Sequence, residues 1–184
     1  ATSNGSVRIV SNLCGEAGYV VMDHDAATGV LQGYDFWGGI YRDMYAYGVQ
    51  FDAAGNAIMT GEASIVGPFT YYTISVSPDR HLNWGGWEES RGRAQAIAID
   101  VAGNIMVAGL MTQQQQWWSD IVTICYDKRG RKLWAQAYDG GINGKDFASA
   151  ITTDASGNVY VVGYSETATW GTEIVTIKYS DLPA

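Results

Sequence analysis

Three stretches of this chain are versions of one another, and that repetition restricts the fold more than any other feature of the sequence. Asp52-Ala-Ala-Gly55-Asn56, Asp100-Val-Ala-Gly103-Asn104 and Asp154-Ala-Ser-Gly157-Asn158 each run into apolar residues and then a glycine, at Gly61, Gly109 and Gly163. Their Gly-Asn pairs are 48 and 54 residues apart. A second element follows each: Thr70-Tyr-Tyr-Thr-Ile74, Asp120-Ile-Val-Thr-Ile124 and Glu173-Ile-Val-Thr-Ile177. A third leads into paired glycines, at Leu82-Asn-Trp84-Gly85-Gly86 and at Leu133-Trp134 through Gly140-Gly141. One ungapped shift of 102 residues adds the N-terminal part: it carries Val20 onto Val122, Asp25 onto Asp127, Leu31 onto Leu133 and Gly38-Gly39 onto Gly140-Gly141. The agreement is incomplete, since Tyr34 and Asp35 fall on Gln136 and Ala137.

The segments between these marks are short and strand-like. Val159-Tyr-Val-Val162 and Ile174-Val-Thr-Ile177 are rich in β-branched residues, and Ala94-Gln-Ala-Ile-Ala-Ile99 alternates small with apolar side chains. No window carries an apolar helical stripe of ten or more residues. Each period therefore holds four strands. A Gly-Asn turn joins the first to the second, a variable loop the second to the third, and a polar tip the third to the fourth. Ser77-Pro-Asp-Arg80 and Asp127-Lys-Arg-Gly130 are two such tips. The Gly-Gly segment joins one period to the next.

Four short strands per period fit a β-propeller blade, which buries its faces only by stacking on its neighbours. The expected fold is an all-β β-propeller of about four blades built from four-stranded antiparallel repeats. Its bounds are a partial blade at 1–39, blades at 40–86 and 87–141, and a partial blade at 142–184. A first and a last blade of three strands each leave two closures open: a four-bladed ring, or an arc that a second chain completes. An exposed sheet edge is normally blunted or paired, so an arc implies a protein partner or self-association through its open blade edges.

Ala96-Ile-Ala-Ile-Asp100-x-x-Gly103-Asn104, Asn158-Val-Tyr-Val-Val-Gly163-Tyr-Ser165 and Ile174-Val-Thr-Ile-Lys-Tyr179 resemble the bacterial β-propeller repeats of the SBBP type. The resemblance extends over residues 40–180. It implies the propeller architecture and export from the cell, to the periplasm, the cell surface or the outside. It implies no particular activity.

The composition narrows the partners. The net charge is −8 and the sequence pI about 4.5. Nucleic-acid binding needs a basic face that releases counterions. The basic cluster Lys128, Arg129, Arg131 and Lys132 reads instead as a solvated hairpin tip. No apolar run is long enough for a helical membrane span. Asn4-Gly5-Ser6 fits the N-glycosylation pattern. The start at Ala1 fits both a mature exported chain and a trimmed one.

The repeated aspartates Asp52, Asp100 and Asp154 read as turn residues that hydrogen-bond the local backbone. Each turn offers too few oxygen ligands for calcium. His24 and His81 have no metal-ligand spacing, and the chain contains no Gly-x-Ser-x-Gly, phosphate loop or His-Glu-x-x-His. Neither a cofactor nor a metal site is expected, and no catalytic residue is assigned. Cys14 and Cys125 permit one disulfide, but the repeat offset sets them two blades apart. The positions equivalent to Cys125 hold Asp23, Ser75 and Lys178, which predicts a shallow environment for the thiol.

In an up-and-down blade, the loops after the second and fourth strands share one rim. That rim collects Tyr41, Phe69, Trp87, Trp117, Trp118, Asn143, Asp146 and Trp170, with Gln113–Gln116 beside them. Aromatic faces among amides and carboxylates stack on sugars or anchor a protein. The sequence therefore points to a non-enzymatic module that recognises a protein partner through this rim. A glycan-binding, lectin-like propeller is the alternative. A hydrolase would need an acidic site that converges from distant blades.

Overall fold

The computed structural model describes residues 6–12, 18–38, 43–64, 67–112, 118–169 and 171–180. Every regular element among them is a β-strand, and every strand pairing is antiparallel. Strands β1 (Ser6–Asn12), β2 (Gly18–Asp25) and β3 (Leu31–Gly38) form the first sheet. The second runs from β4 (Asp43–Phe51) through β5 (Ala57–Ser64), β6 (Thr70–Val76), β7 (Leu82–Ile99), β8 (Ile105–Thr112) and β9 (Asp120–Tyr126) to β10 (Lys132–Tyr138). The third holds β11 (Asp146–Thr153), β12 (Val159–Glu166) and β13 (Thr172–Tyr179).

The sequence reading places a loop at Gly85-Gly86 and Trp87, between two strands. The structure has one strand there. β7 pairs with β6 from Leu82 to Trp87, skips three residues, meets β6 again at Arg91, and pairs from Arg91 onward with β8. Gly85 serves close packing: a Cβ there would lie 3.2 Å from both Ile74 Cγ2 and the Tyr72 hydroxyl. The second half of β7 lies against β4 and β5, so the seven-stranded sheet folds over on itself at residues 88–90.

Strand periodicity explains the layering. Successive side chains point to opposite faces, so a strand between two layers is apolar at every position. On β5, Met59 joins Tyr19, Val21, Met44 and Ile74 against the first sheet, whereas Ile58 joins Tyr71, Ile97, Val107 and Ile124 in the fold of the second. On β8, Ile105 and Val107 enter that middle core, while Met106 and Ala108 pack with Val159 and Val161 of the third sheet. Among the described residues, three apolar clusters thus lie between successive layers of strands.

The same rule corrects the expectation for Cys125, which is 3% exposed. Its face of the layer turns toward the next one, as does that of Ser75, and the third sheet covers it. Lys178 is polar because no layer among the described residues follows the third sheet. Cys125 is a free thiol; Cys14 lies outside the described residues. Burial, with smaller contributions from Asp100 and Asp127, pushes the Cys125 thiol up to about 12. It therefore stays protonated, and a thiol is a poor nucleophile. In a Cys14→Ser variant, Ellman's reagent at neutral pH should label Cys125 only after denaturant unfolds the chain.

The repeated turns are alike in atomic detail. In each, one carboxylate oxygen of Asp52, Asp100 or Asp154 accepts two backbone N–H bonds, and the other accepts the amide of Asn56, Asn104 or Asn158 at 2.7–2.9 Å. The intervening glycines have φ between 81° and 86°, a region open to glycine at little cost. These bonds hold the Asp154 carboxyl below the usual carboxylate range, the Asn158 side chain contributing most.

Candidate functional site

The crossing of β7 from β6 to β8 builds an open groove that combines apolar and charged groups. Arg91 lies between Thr70 and Thr112 in the two ladders, so the bend projects it at the sheet's end. Gly92 is next. Its N–H donates to the Phe69 carbonyl at 2.9 Å. A Cβ there would lie 2.6 Å from the Leu110 carbonyl oxygen and 3.0 Å from Tyr71 Cδ1, so only glycine makes this floor. Arg93 follows, its guanidinium 5.3 Å from the centre of the Tyr47 ring. The resulting groove, about 640 Å³, is lined by Phe69, Arg91, Arg93, Leu110, Glu62 and Thr112, with Gly67 and Pro68 at its lip.

Its electrostatics are partly committed. The Tyr47 hydroxyl donates to Glu62 Oε1 at 2.7 Å. Burial, then that carboxylate, raises the Tyr47 hydroxyl's pKa, so it remains a donor. Glu62 is thereby engaged within the wall, whereas Arg91 is exposed. The Phe69 ring, 6.1 Å from that of Tyr45, supplies an apolar wall.

A second cluster sits where β9 begins, β10 ends and β11 begins. The β9–β10 ladder pairs Ile121 with Tyr138, which sets Asp120 beside Asp139 just beyond it. The Asp146 N–H donates to the Ser119 carbonyl at 2.7 Å, bringing β11 alongside. Asp120, Asp139 and Asp146 offer carboxylate oxygens that all lie within 4.8 Å of one another. Like charges held this close repel one another, less so where solvent reaches them, as at exposed Asp139. A hollow of about 350 Å³ lies nearby, lined by Ile142, Asn143, Glu166, Thr167, Ala168 and Thr172.

The residues chosen from sequence thus separate. Phe69 lies in the groove. Trp87 is 59% exposed on the β7 strand, and Trp118 is half-buried. Asn143, at φ 50°, lines the smaller hollow, and Asp146 is in the acidic cluster at 1% exposure. Tyr41, Trp117 and Trp170, with Gln113–Gln116, lie outside the described residues. Sequence reasoning missed Arg91 and Arg93. Their signal was two cations alternating about a glycine at the start of a strand, visible once the bend of β7 is known.

Comparison with known proteins supports the architecture. Residues 138–167 match the family model of the SBBP beta-propeller repeat. They take in the end of β10 and all of β11 and β12, and so contain the third copy of the Asp-x-x-Gly-Asn turn. A protein of unknown function from Bacteroides caccae is similar in structure, with a TM-score of 0.56 at 14% identity over 96% of this chain and 59% of that one. The periplasmic gluconolactonase PpgL of Pseudomonas aeruginosa also gives 0.56, at 9% identity over 86% of this chain and 47% of its own. A bifunctional GH43-CE protein of Bacteroides eggerthii gives 0.50, at 11% identity over 98% of this chain and 24% of its own. At such identities the likeness is one of fold. The chain spans 59% or less of each of these structures. No curated protein matches it in sequence.

Proposed function

We propose that this chain is a four-bladed arc of a β-propeller that acts as an exported, non-enzymatic binding module. Its groove at the β7 crossing takes an extended protein segment carrying an apolar side chain and a carboxylate. The observation that carries this reading is the convergence of exposed Arg91 with Phe69 and Leu110 on one open groove in a chain of net charge −8. A local cation in an acidic molecule selects an acidic partner and gives the contact its orientation. The apolar wall supplies burial. The arc, as opposed to a closed ring, is supported by the two end layers: Tyr34 on the first sheet is 64% exposed and Ile174 on the third is 84% exposed.

Selection from a random peptide library on the immobilised chain tests the groove. Peptides pairing an aromatic or aliphatic residue with Asp or Glu should be enriched. Arg91→Ala should weaken their binding about tenfold or more, the effect of losing a charge-assisted hydrogen bond. Enrichment unaffected by Arg91→Ala and Phe69→Ala contradicts the assignment. Binding confined to a glycan array would replace it with the lectin-like reading.

A further inference from the structure

We infer that Asp120, Asp139 and Asp146 form a calcium site that clamps β11 to the end of the β9–β10 hairpin. The three acids come from three strand ends, and their offered oxygens lie within 4.8 Å of one another. Oxygens on opposite sides of a calcium ion, each bonded at about 2.3–2.6 Å, stand roughly 5 Å apart, so this spacing fits one ion. Magnesium, with bonds near 2.0–2.1 Å, asks for a tighter octahedron and dehydrates less readily.

Asp146 supplies an independent observation. The residue is 1% exposed, and its Oδ2 accepts the Gly140 N–H at 2.8 Å. Its Oδ1 is buried and has no hydrogen-bond partner among the described residues. A buried carboxylate oxygen without a donor is costly, more so beside other carboxylates. No lysine or arginine among the described residues forms an ion pair with Asp139 or Asp146. Glycine at 140 keeps the space open, since a Cβ there would lie 3.2 Å from Asp146 Oδ1 and 1.9 Å from Ser165 Oγ. A hard divalent cation bonded to Oδ1 satisfies that oxygen and offsets the repulsion between Asp139 and Asp146. Further oxygens would come from water or backbone carbonyls. The ion would join the second sheet to the third, adding to the backbone bond between Ser119 and Asp146 and to the apolar core around Met106, Ile121 and Val161.

The test uses the whole chain stripped with EDTA and dialysed free of it. Calorimetric titration with calcium chloride should show one site per chain with Kd between about 10⁻⁵ and 10⁻³ M, and about 10 mM calcium should raise the Tm by roughly 5 °C. Asp139 is exposed, so Asp139→Asn should leave the fold intact and weaken calcium binding at least tenfold. Absence of binding heat together with an unchanged Tm overturns the site. A Tm rise of equal size with magnesium chloride overturns the assignment to calcium. An Asp139→Asn variant that is more stable than the parent chain in calcium and in EDTA alike would mean that the acids merely repel, and overturns it as well.

Discussion

Gly109→Ala should lower stability by about 3 kcal/mol, a fall in Tm of about 6–12 °C for a chain of this length. The repeat ends each Asp-x-x-Gly-Asn unit on a glycine, and the structure gives the reason. A Cβ at Gly61, Gly109 or Gly163 would lie 1.8–2.0 Å from the carbonyl oxygen of Tyr45, Arg93 or Phe147. In all three places the opposite strand carries a register shift, at Ala46/Gly48, Ala94/Ala96 and Ala148/Ala150. A bulge brings the partner backbone in toward the strand, and only a residue without a side chain admits it. The obstacle is backbone, so no rotamer relieves it. Thermal unfolding with Gly86→Ala as the control checks the claim. Nothing lies within 4 Å of a Cβ at Gly86, so that substitution should change stability little. Equal effects at the two positions would contradict the bulge argument.

Arg8→Ala should cost about 3–5 kcal/mol, because it leaves a buried carboxylate without its counter-ion. Arg8 on β1 stands opposite Asp23 on β2, and two guanidinium nitrogens reach the carboxylate at 2.7 and 2.9 Å. The side chains are 4% and 14% exposed. The same guanidinium donates to the Pro78 carbonyl at 2.7 Å, which fastens the first sheet to a turn of the second. Replacing both partners, as in Arg8→Met with Asp23→Leu, should recover part of the loss, since two matched apolar groups leave no unpaired charge. The Pro78 carbonyl would still lack its donor, so recovery should fall short. Urea unfolding of the single and double variants measures this. A double variant less stable than Arg8→Ala would contradict the account.

Much of this architecture was legible in the chain. The Asp-x-x-Gly-Asn turns state their own conformation, because glycine at positive φ and an aspartate that ligates the following N–H groups are local requirements. β-Branched runs such as Val159–Val162 declare strands without reference to the rest of the fold. What sequence could not convey depends on neighbouring layers. Gly85-Gly86 read as a break between strands, yet the ladder continues through them, because β7 changes partners without leaving the sheet. Cys125 looked shallow beside its equivalent Lys178, yet the next layer covers one position and not the other. The candidate site divides in the same way. Aromatic Phe69 was visible as a loop residue. Arg91 and Arg93 gained meaning from the bend, and Asp139 from a strand pairing that sets it beside Asp120.

The central functional claim is that recognition takes place where β7 crosses, at the opposite end of the strands from the repeated turns. Hydrogen exchange on the chain, with and without a library-selected peptide at saturation, addresses it directly. Amides of 67, 69–70, 91–93 and 110–112 should slow on binding, while those at 52–56, 100–104 and 154–158 should be unchanged. Slowing confined to the Asp-x-x-Gly-Asn turns would contradict the account.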